Sequence, residues 1–185
     1  NMLELDLIVG SGGVLSHAPR RSQSFLMMVD SFSPLGITQI AVDSIFMMPQ
    51  LGVLSSIHPE AALEVFDRDC LIRLGTSINP IIKNKSGEEL FSYTFCYNNK
   101  DYNGIIKSND LELIEIPYEP IDLTLKPKGN VDLGNGFGQE INKVVYGGEV
   151  GILFDGRVKD VQNQPISQDK NKIKEYYNKT KVYSL

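Results

Sequence analysis

"LDLIVGSGGVLSHAPRR", residues Leu5–Arg21, decides the fold class. Leu5-Asp6-Leu7-Ile8-Val9 is an apolar run stopped by glycine, the pattern of a strand buried on both faces. Gly10-Ser11-Gly12-Gly13 forms the turn, and Pro19 suits the first turn of a following helix. Within that helix Phe25, Leu26, Met28, Val29 and Phe32 fall at helical spacing. Ser33-Pro34 and Gly36 end it. Ile37–Val42 is a second apolar, β-branched strand. "PQLGVLSS" (49–56) predicts another helix, and "HPEAALEVF" (58–66) a further Pro-initiated helical turn or two. Residues 3–69 therefore read as α/β.

Past Asp69 the texture changes. Short β-favouring runs follow one another, among them "CLIRLGTSI", "ELFSYTFCY", "LELIEIPY", "IDLTLKP", "NKVVYGG" and "VGILFDGR", separated by Gly, Asn, Asp and Pro. Turn signals at such short, regular spacing predict an all-β module, a β-sandwich or barrel, over residues 70–160. The remainder, 161–185, is a polar tail in which "KNKIKEYYNK" forms either a short helix or a solvated terminus.

Composition narrows the function classes. The 185 residues are 42% hydrophobic and 22% charged, ordinary values for a globular protein. A net charge of -5 and a pI near 5.1 make broad electrostatic binding to nucleic acid or anionic lipid unexpected. Cys70 and Cys96 lie far apart in apolar runs and read as buried thiols in a reducing compartment. No apolar stretch approaches the roughly 20 residues of a membrane span, and no basic segment opens a signal peptide. The expected location is cytoplasmic. Asn1 precedes Met2 and a buried-type strand begins almost at once, so the chain reads as a piece of a longer protein.

The opening turn has nucleotide-friendly chemistry. Glycines let a backbone approach a phosphate or purine without a Cβ in the way, and helix N-termini present free N–H groups. The turn is neither the G-x-G-x-x-G fingerprint nor a P-loop, so alone it is equally a tight α/β connection. Ser11 either donates to a ligand or satisfies neighbouring backbone. His17, followed by Arg20 and Arg21, is either a polar group near a phosphate or partner, or a histidine hydrogen-bonded at the helix start. Asp43 ends the second strand, where α/β folds place ligands, or it caps the next segment. Met27-Met28 and Met47-Met48 fit a core better than an adaptable binding surface. His58 before Pro59 reads as structural, and no cluster has metal-ligand spacing. "VDLGNGFG" (131–138) lacks a following helix and reads as a loop between strands rather than a phosphate cradle. No catalytic constellation stands out.

As a set the motifs say more. "DLIVGSGGVLSHAPR" (6–20), "GITQIAVDSIFMMPQLGVLS" (36–55) and "GGEVGILFDGR" (147–157) together resemble the C-terminal part of the glutamate mutase accessory protein family (MutL/GlmL). "HPEAALEVFDRDCLIRLGTSINP" (58–80) and "VDLGNGFG" extend the resemblance to about Arg157. It implies membership of the actin-like ATPase superfamily, whose two ribonuclease H-like lobes clamp ATP with Mg²⁺. On that likeness Val9–Gly13 match the adenosine motif of the C-terminal lobe, with Gly10, Gly12 and Gly13 giving the close backbone approach. "MMPQLGVLSS" (47–56) takes the place of the helix behind adenine. The phosphate loops and Mg²⁺ carboxylates have no counterpart here, so this chain alone is expected to be inactive and to hold no nucleotide tightly. The intact protein is expected to be an ATP-dependent accessory or reactivating chaperone of cobalamin-dependent glutamate (methylaspartate) mutase, with the mutase subunits as partners. The alternatives are a small-molecule kinase or amide-cleaving ATPase of the same superfamily, or a non-catalytic interaction module.

Overall fold

The structure is a computed structural model that describes residues 5–83, 89–157 and 170–182. Parts of the sequence-based divisions (Leu3 and Glu4, 84–88, 158–169 and 183–185) lie outside those residues.

The first strand, β1 (Leu7–Gly10), enters a four-residue helical turn, α1 (Gly13–Ser16). Helix α2 (Arg21–Phe32) follows, then β2 (Gly36–Asp43), α3 (Met48–Ser55) and α4 (Pro59–Val65). A π-helical turn, Phe66–Cys70, leads into β3 (Leu71–Asn79). The remaining strands are β4 (Ile81–Ile82), β5 (Glu89–Tyr97), β6 (Lys100–Lys107), β7 (Leu111–Ile114), β8 (Pro120–Pro127), β9 (Val131–Asp132), β10 (Ile141–Tyr146) and β11 (Gly151–Asp155). Helix α5 (Lys170–Lys179) comes last.

These elements stack in three layers. A five-stranded mixed sheet, in the order β1-β2-β3-β11-β7, forms the middle. One face carries α2 and α5 over a core of Phe25, Met28, Val29, Ile40, Val42, Leu74, Leu153 and Tyr176. The other face packs on a four-stranded antiparallel sheet, β10-β8-β5-β6, through Ile78, Phe91, Phe95, Leu123, Leu125, Ile152 and Phe154. Tyr93 stacks on Phe154 in that interface, with centroids 4.1 Å apart. A β-sandwich is thus present, but one of its two sheets is the α/β sheet itself.

The division at residue 70 is consequently not a break in the sheet. β3 pairs antiparallel with β2 and parallel with β11, and β7 completes the edge. The chain from β4 to β10 is a long excursion between two adjacent parallel strands. Periodicity changes at residue 70 because the environment changes. Most of β3 and all of β11 are covered on both faces; β11 reads as a continuous apolar run, whereas β3 buries Thr76, Ser77 and Asn79 among its apolar residues. β5 and β8 belong to the outer sheet, have one solvated face and tend to alternate.

The glycines of "GGEVG" make the crossing into β11 possible. A Cβ on Gly148 would lie 2.5 Å from the Leu74 carbonyl, and one on Gly151 would run into the Ile114 carbonyl. Gly151 and its partner Gly75 hold φ of 123° and 151°, conformations that L side chains rarely adopt. The strand backbones approach through positions where no side chain fits.

Smaller departures have local causes. The first helix begins at Arg21 rather than Pro19, because Gly13–Ser16 makes its own short turn first. Cys70 is buried, but Cys96 is exposed: it sits at an outward-pointing position of β5, beyond Thr94, inside a run whose aromatic neighbours conceal the alternation. Residues 170–182 of the tail pack through α5: Tyr176, Thr180 and Val182 are buried, and the Tyr176 hydroxyl donates to the Asn109 carbonyl at 2.9 Å. No helix among the described residues is long and apolar enough to cross a membrane.

Candidate functional site

The candidate site is the turn at the carboxyl ends of the parallel pair β1 and β2, whose last residues sit side by side with Gly10 opposite Val42. In α/β sheets this is the end at which ligands bind. The glycines divide the work. Gly10 is buried, and a Cβ there would meet Leu15 Cδ1 at 2.7 Å and Met28 Sδ at 2.8 Å. It is a packing glycine beneath α2. Gly12 has φ 123° and nothing within 4 Å of its Cβ position, and Gly13 has only the tip of the Phe46 ring at 4.0 Å. Ser11 and Gly13 are exposed. Gly12 and Gly13 therefore offer backbone to solvent, whereas Gly10 does not.

The turn is fastened from below. The Gly12 carbonyl accepts from Leu15 and Ser16 N–H, and the Gly13 carbonyl from His17 N–H, closing α1. Ser16 Oγ donates to the Asp43 carbonyl at 2.6 Å, tying α1 to the end of β2. Ser24 Oγ donates to the Leu15 carbonyl and Arg21 Nη1 to the Ser16 carbonyl, so the start of α2 satisfies carbonyls left free where α1 ends.

Asp43 is fully buried, and its carboxylate faces its own chain. Oδ1 accepts from the N–H groups of Ile45 and Met47, each at 3.3 Å, and Oδ2 from Met48 N–H at 3.2 Å. Three backbone donors are satisfied by one side chain, which shapes the loop into α3. The capping alternative describes its geometry, and no carboxylate oxygen is directed at the turn. His17 is exposed; its ring lies 5.9 Å from that of Phe46, tilted by 49°. Arg20 faces away: its Nη1 and Ser22 Oγ both donate to the Lys181 carbonyl at 3.2 Å, and Gln23 Nε2 donates to the Val182 carbonyl.

The structure thus brings Gly12, Gly13, His17 and the Asp43 loop together, and places Gly10 underneath them. It adds Phe46, which sequence reasoning passed over. Phe46 has φ 58°, a left-handed conformation unusual for a bulky residue. Its signal was present in "VDSIFMMP", where a strand-ending Asp precedes a proline-started helix and the loop between must turn sharply. Ser16 was missed too, since a serine inside a short turn has no periodic signature.

Other motifs resolve as structure. Asp132 Oδ1 accepts from Gly134 and Gly136 N–H, shaping the "VDLGNGFG" loop by local hydrogen bonds. Arg157 joins Asp155 and Asp30, with its Nη2 at 2.7 Å and 2.8 Å from their carboxylates, and so pins the end of β11 to α2. Among the described residues no group of three or more His, Cys, Asp or Glu could hold a metal ion. What the turn presents is an open backbone platform beside an aromatic pair, with a rim of exposed apolar side chains in Val14 and Ile45.

The model of the MutL protein family, the accessory family of glutamate mutase, matches residues 1–70. The match contains the whole turn, the Asp43 loop, α3 and α4. Neither the curated proteins nor the solved structures contain a match to this chain.

Proposed function

We propose, from the match of residues 1–70 to the MutL family model, that the Gly12–Gly13 turn is the adenosine side of an ATP site in a glutamate mutase accessory protein. The observation that carries the reading is the open, left-handed Gly12 backbone at the carboxyl end of β1, inside the family-matched segment. Nucleotide contact would use Gly12, Gly13 and Ser11, with His17 at the rim. Gly10 and Asp43 would support the turn from within. Mg²⁺ and the phosphate-gripping groups would come from parts of the intact protein that have no counterpart among these residues. On this reading the intact protein is an actin-like ATPase. Nucleotide binding and hydrolysis would switch its lobes and thereby its affinity for the cobalamin enzyme, letting damaged cofactor leave.

Calorimetric titration of ATP and ADP into the intact protein tests the nucleotide half, and absence of heat sinks it. Restoration of inactivated glutamate mutase by the protein with ATP, Mg²⁺ and fresh cobalamin tests the reactivation half. No recovery above a protein-free control defeats that part.

A second reading is favoured by a separate observation. α3 and α4 bury little apart from Leu51 and Ala62, and they leave Val53, Ile57 and Leu63 each about 70% exposed. A ridge of large apolar side chains on one helical hairpin suits protein docking. Capture of the mutase subunits by wild-type protein but not by a Val53→Ser/Leu63→Ser variant would assign the hairpin to that role. Equal capture by both would remove it.

A further inference from the structure

We infer that Phe46 is the base-recognition residue of the turn, stacking a planar heteroaromatic ring that enters over Gly12 and Gly13. The inference rests on the adenosine reading above and identifies which part of the ligand meets which side chain. Three observations carry it.

The first is the backbone. Phe46 sits at φ 58°, where glycine or asparagine is at ease and a phenylalanine costs on the order of 1 kcal/mol or more. The Asp43 carboxylate imposes this by holding the N–H groups of Ile45, Met47 and Met48, so that residue 46 is the apex of the loop. A strained aromatic side chain at an apex requires something to offset it.

The second is placement. The ring tip reaches to 4.0 Å from the Gly13 Cβ position, and the His17 ring lies beyond it at 5.9 Å. Phe46 is half-buried, so part of its ring remains available beside the open backbone of Gly12.

The third is charge. Residues 10–18 and 43–49, which form the turn and its facing loop, contain no lysine or arginine. Their one carboxylate, Asp43, is buried and committed to backbone donors. Val14 and Ile45 extend the surface with exposed apolar groups. An apolar, aromatic surface next to open backbone suits the flat face of a nucleobase, and these segments bring no cationic side chain to a phosphate.

The test is a two-dimensional NMR titration of adenosine into the full 185-residue chain, comparing wild type with Phe46→Gly, Phe46→Asn and Phe46→Tyr. Glycine and asparagine tolerate the left-handed backbone, so these variants remove the ring while relieving strain. The expected result is a rise in the adenosine dissociation constant of roughly tenfold for both, within the range of base–aromatic stacking, with near wild-type binding in Phe46→Tyr. Adenosine bound equally by wild type and by the glycine and asparagine variants overturns the inference and leaves the adenosine reading standing. No adenosine-dependent shifts at residues 10–17 of the wild type overturn the inference, while the titration of the intact protein decides the adenosine reading. If the glycine and asparagine variants both unfold, the ring is a packing element and the inference fails.

Discussion

Gly10→Ala separates packing from ligand contact at the turn. The added methyl would stand 2.7 Å from Leu15 Cδ1 and 2.8 Å and 2.9 Å from Met28 Sδ and Cε. These are side-chain ends, but Met28 is 1% exposed and confined by Phe25 and Val29, so it cannot swing into solvent. Overpacking of this kind costs about 2 kcal/mol. Removing a glycine from the unfolded chain returns roughly 0.7 kcal/mol. The net expectation is a loss of about 1–1.5 kcal/mol, seen as a fall in Tm of roughly 3–5 °C for a chain of this size. Met28→Ala alone should cost about 3 kcal/mol through its cavity. In that background the Gly10 methyl has space, so Gly10→Ala should be neutral or slightly stabilising. The double-mutant cycle should then give a coupling of about 1–2 kcal/mol. The chain has no tryptophan, so far-UV circular dichroism in urea is the suitable probe. An additive cycle, with Gly10→Ala costing the same in both backgrounds, would refute the packing assignment.

Three further outcomes follow from the same geometry. Gly151→Ala should cost about 4 kcal/mol or more, since its Cβ would run into the Ile114 carbonyl from a left-handed backbone; wild-type urea stability would defeat the close-approach account. Tyr93 donates to Glu112 at 2.8 Å, and burial first, then that bond, raise its pKa above the ordinary tyrosine value. The neutral phenol is therefore favoured by folding, and stability should be full below about pH 10 and decline as pH rises beyond it. Tyr93→Phe should flatten that alkaline decline, and an unchanged slope would remove Tyr93 as its source. Arg157→Met leaves the buried Asp155 carboxylate without its cation and should cost roughly 3 kcal/mol, whereas Asp30→Ala, at the more exposed end of the pair, should cost under about 1 kcal/mol; equal losses would contradict the burial argument.

How much of this was legible in the sequence depended on whether the signal was local. β1, β2, α3 and α4 were, because a glycine, proline or serine marks at least one end of each. The run "GILFD" was legible as a buried strand, for it has apolar residues at consecutive positions between glycines. Its address was not. Nothing local tells residue 152 that its parallel neighbour is residue 76, and of the intervening strands only β7 returns to the same sheet. The site divided in the same way. Gly12 was readable from its neighbours, but Gly10 looks identical in sequence, and only the position of Met28 shows that it faces the core. Asp43 was recognised as either ligand-facing or capping, and three backbone donors at 3.2–3.3 Å show what its carboxylate does. Phe46 was hidden because left-handed backbone is predictable from glycine or asparagine and not from phenylalanine.

The interleaved sheet also bears on why motifs so far apart in the chain occur together. The turn at Gly10–Gly13 stands on β1, at the edge of the middle sheet, where among the described strands β1 pairs with β2. β2 is held in turn by β3, and β3 by β11, whose entry needs Gly148 and Gly151. The end of β11 is pinned to α2 by Arg157, and the start of α2 holds α1 through Arg21 and Ser24. The C-terminal segment closes the circuit, with the Lys181 and Val182 carbonyls accepting from Arg20, Ser22 and Gln23 at that same helix start. Each link is a backbone contact, an ion pair or a hydrogen bond within the ordinary range of lengths. The glycine turn is thus joined, through α2, to the end of β11 and to the C-terminal segment by a route of directly bonded neighbours.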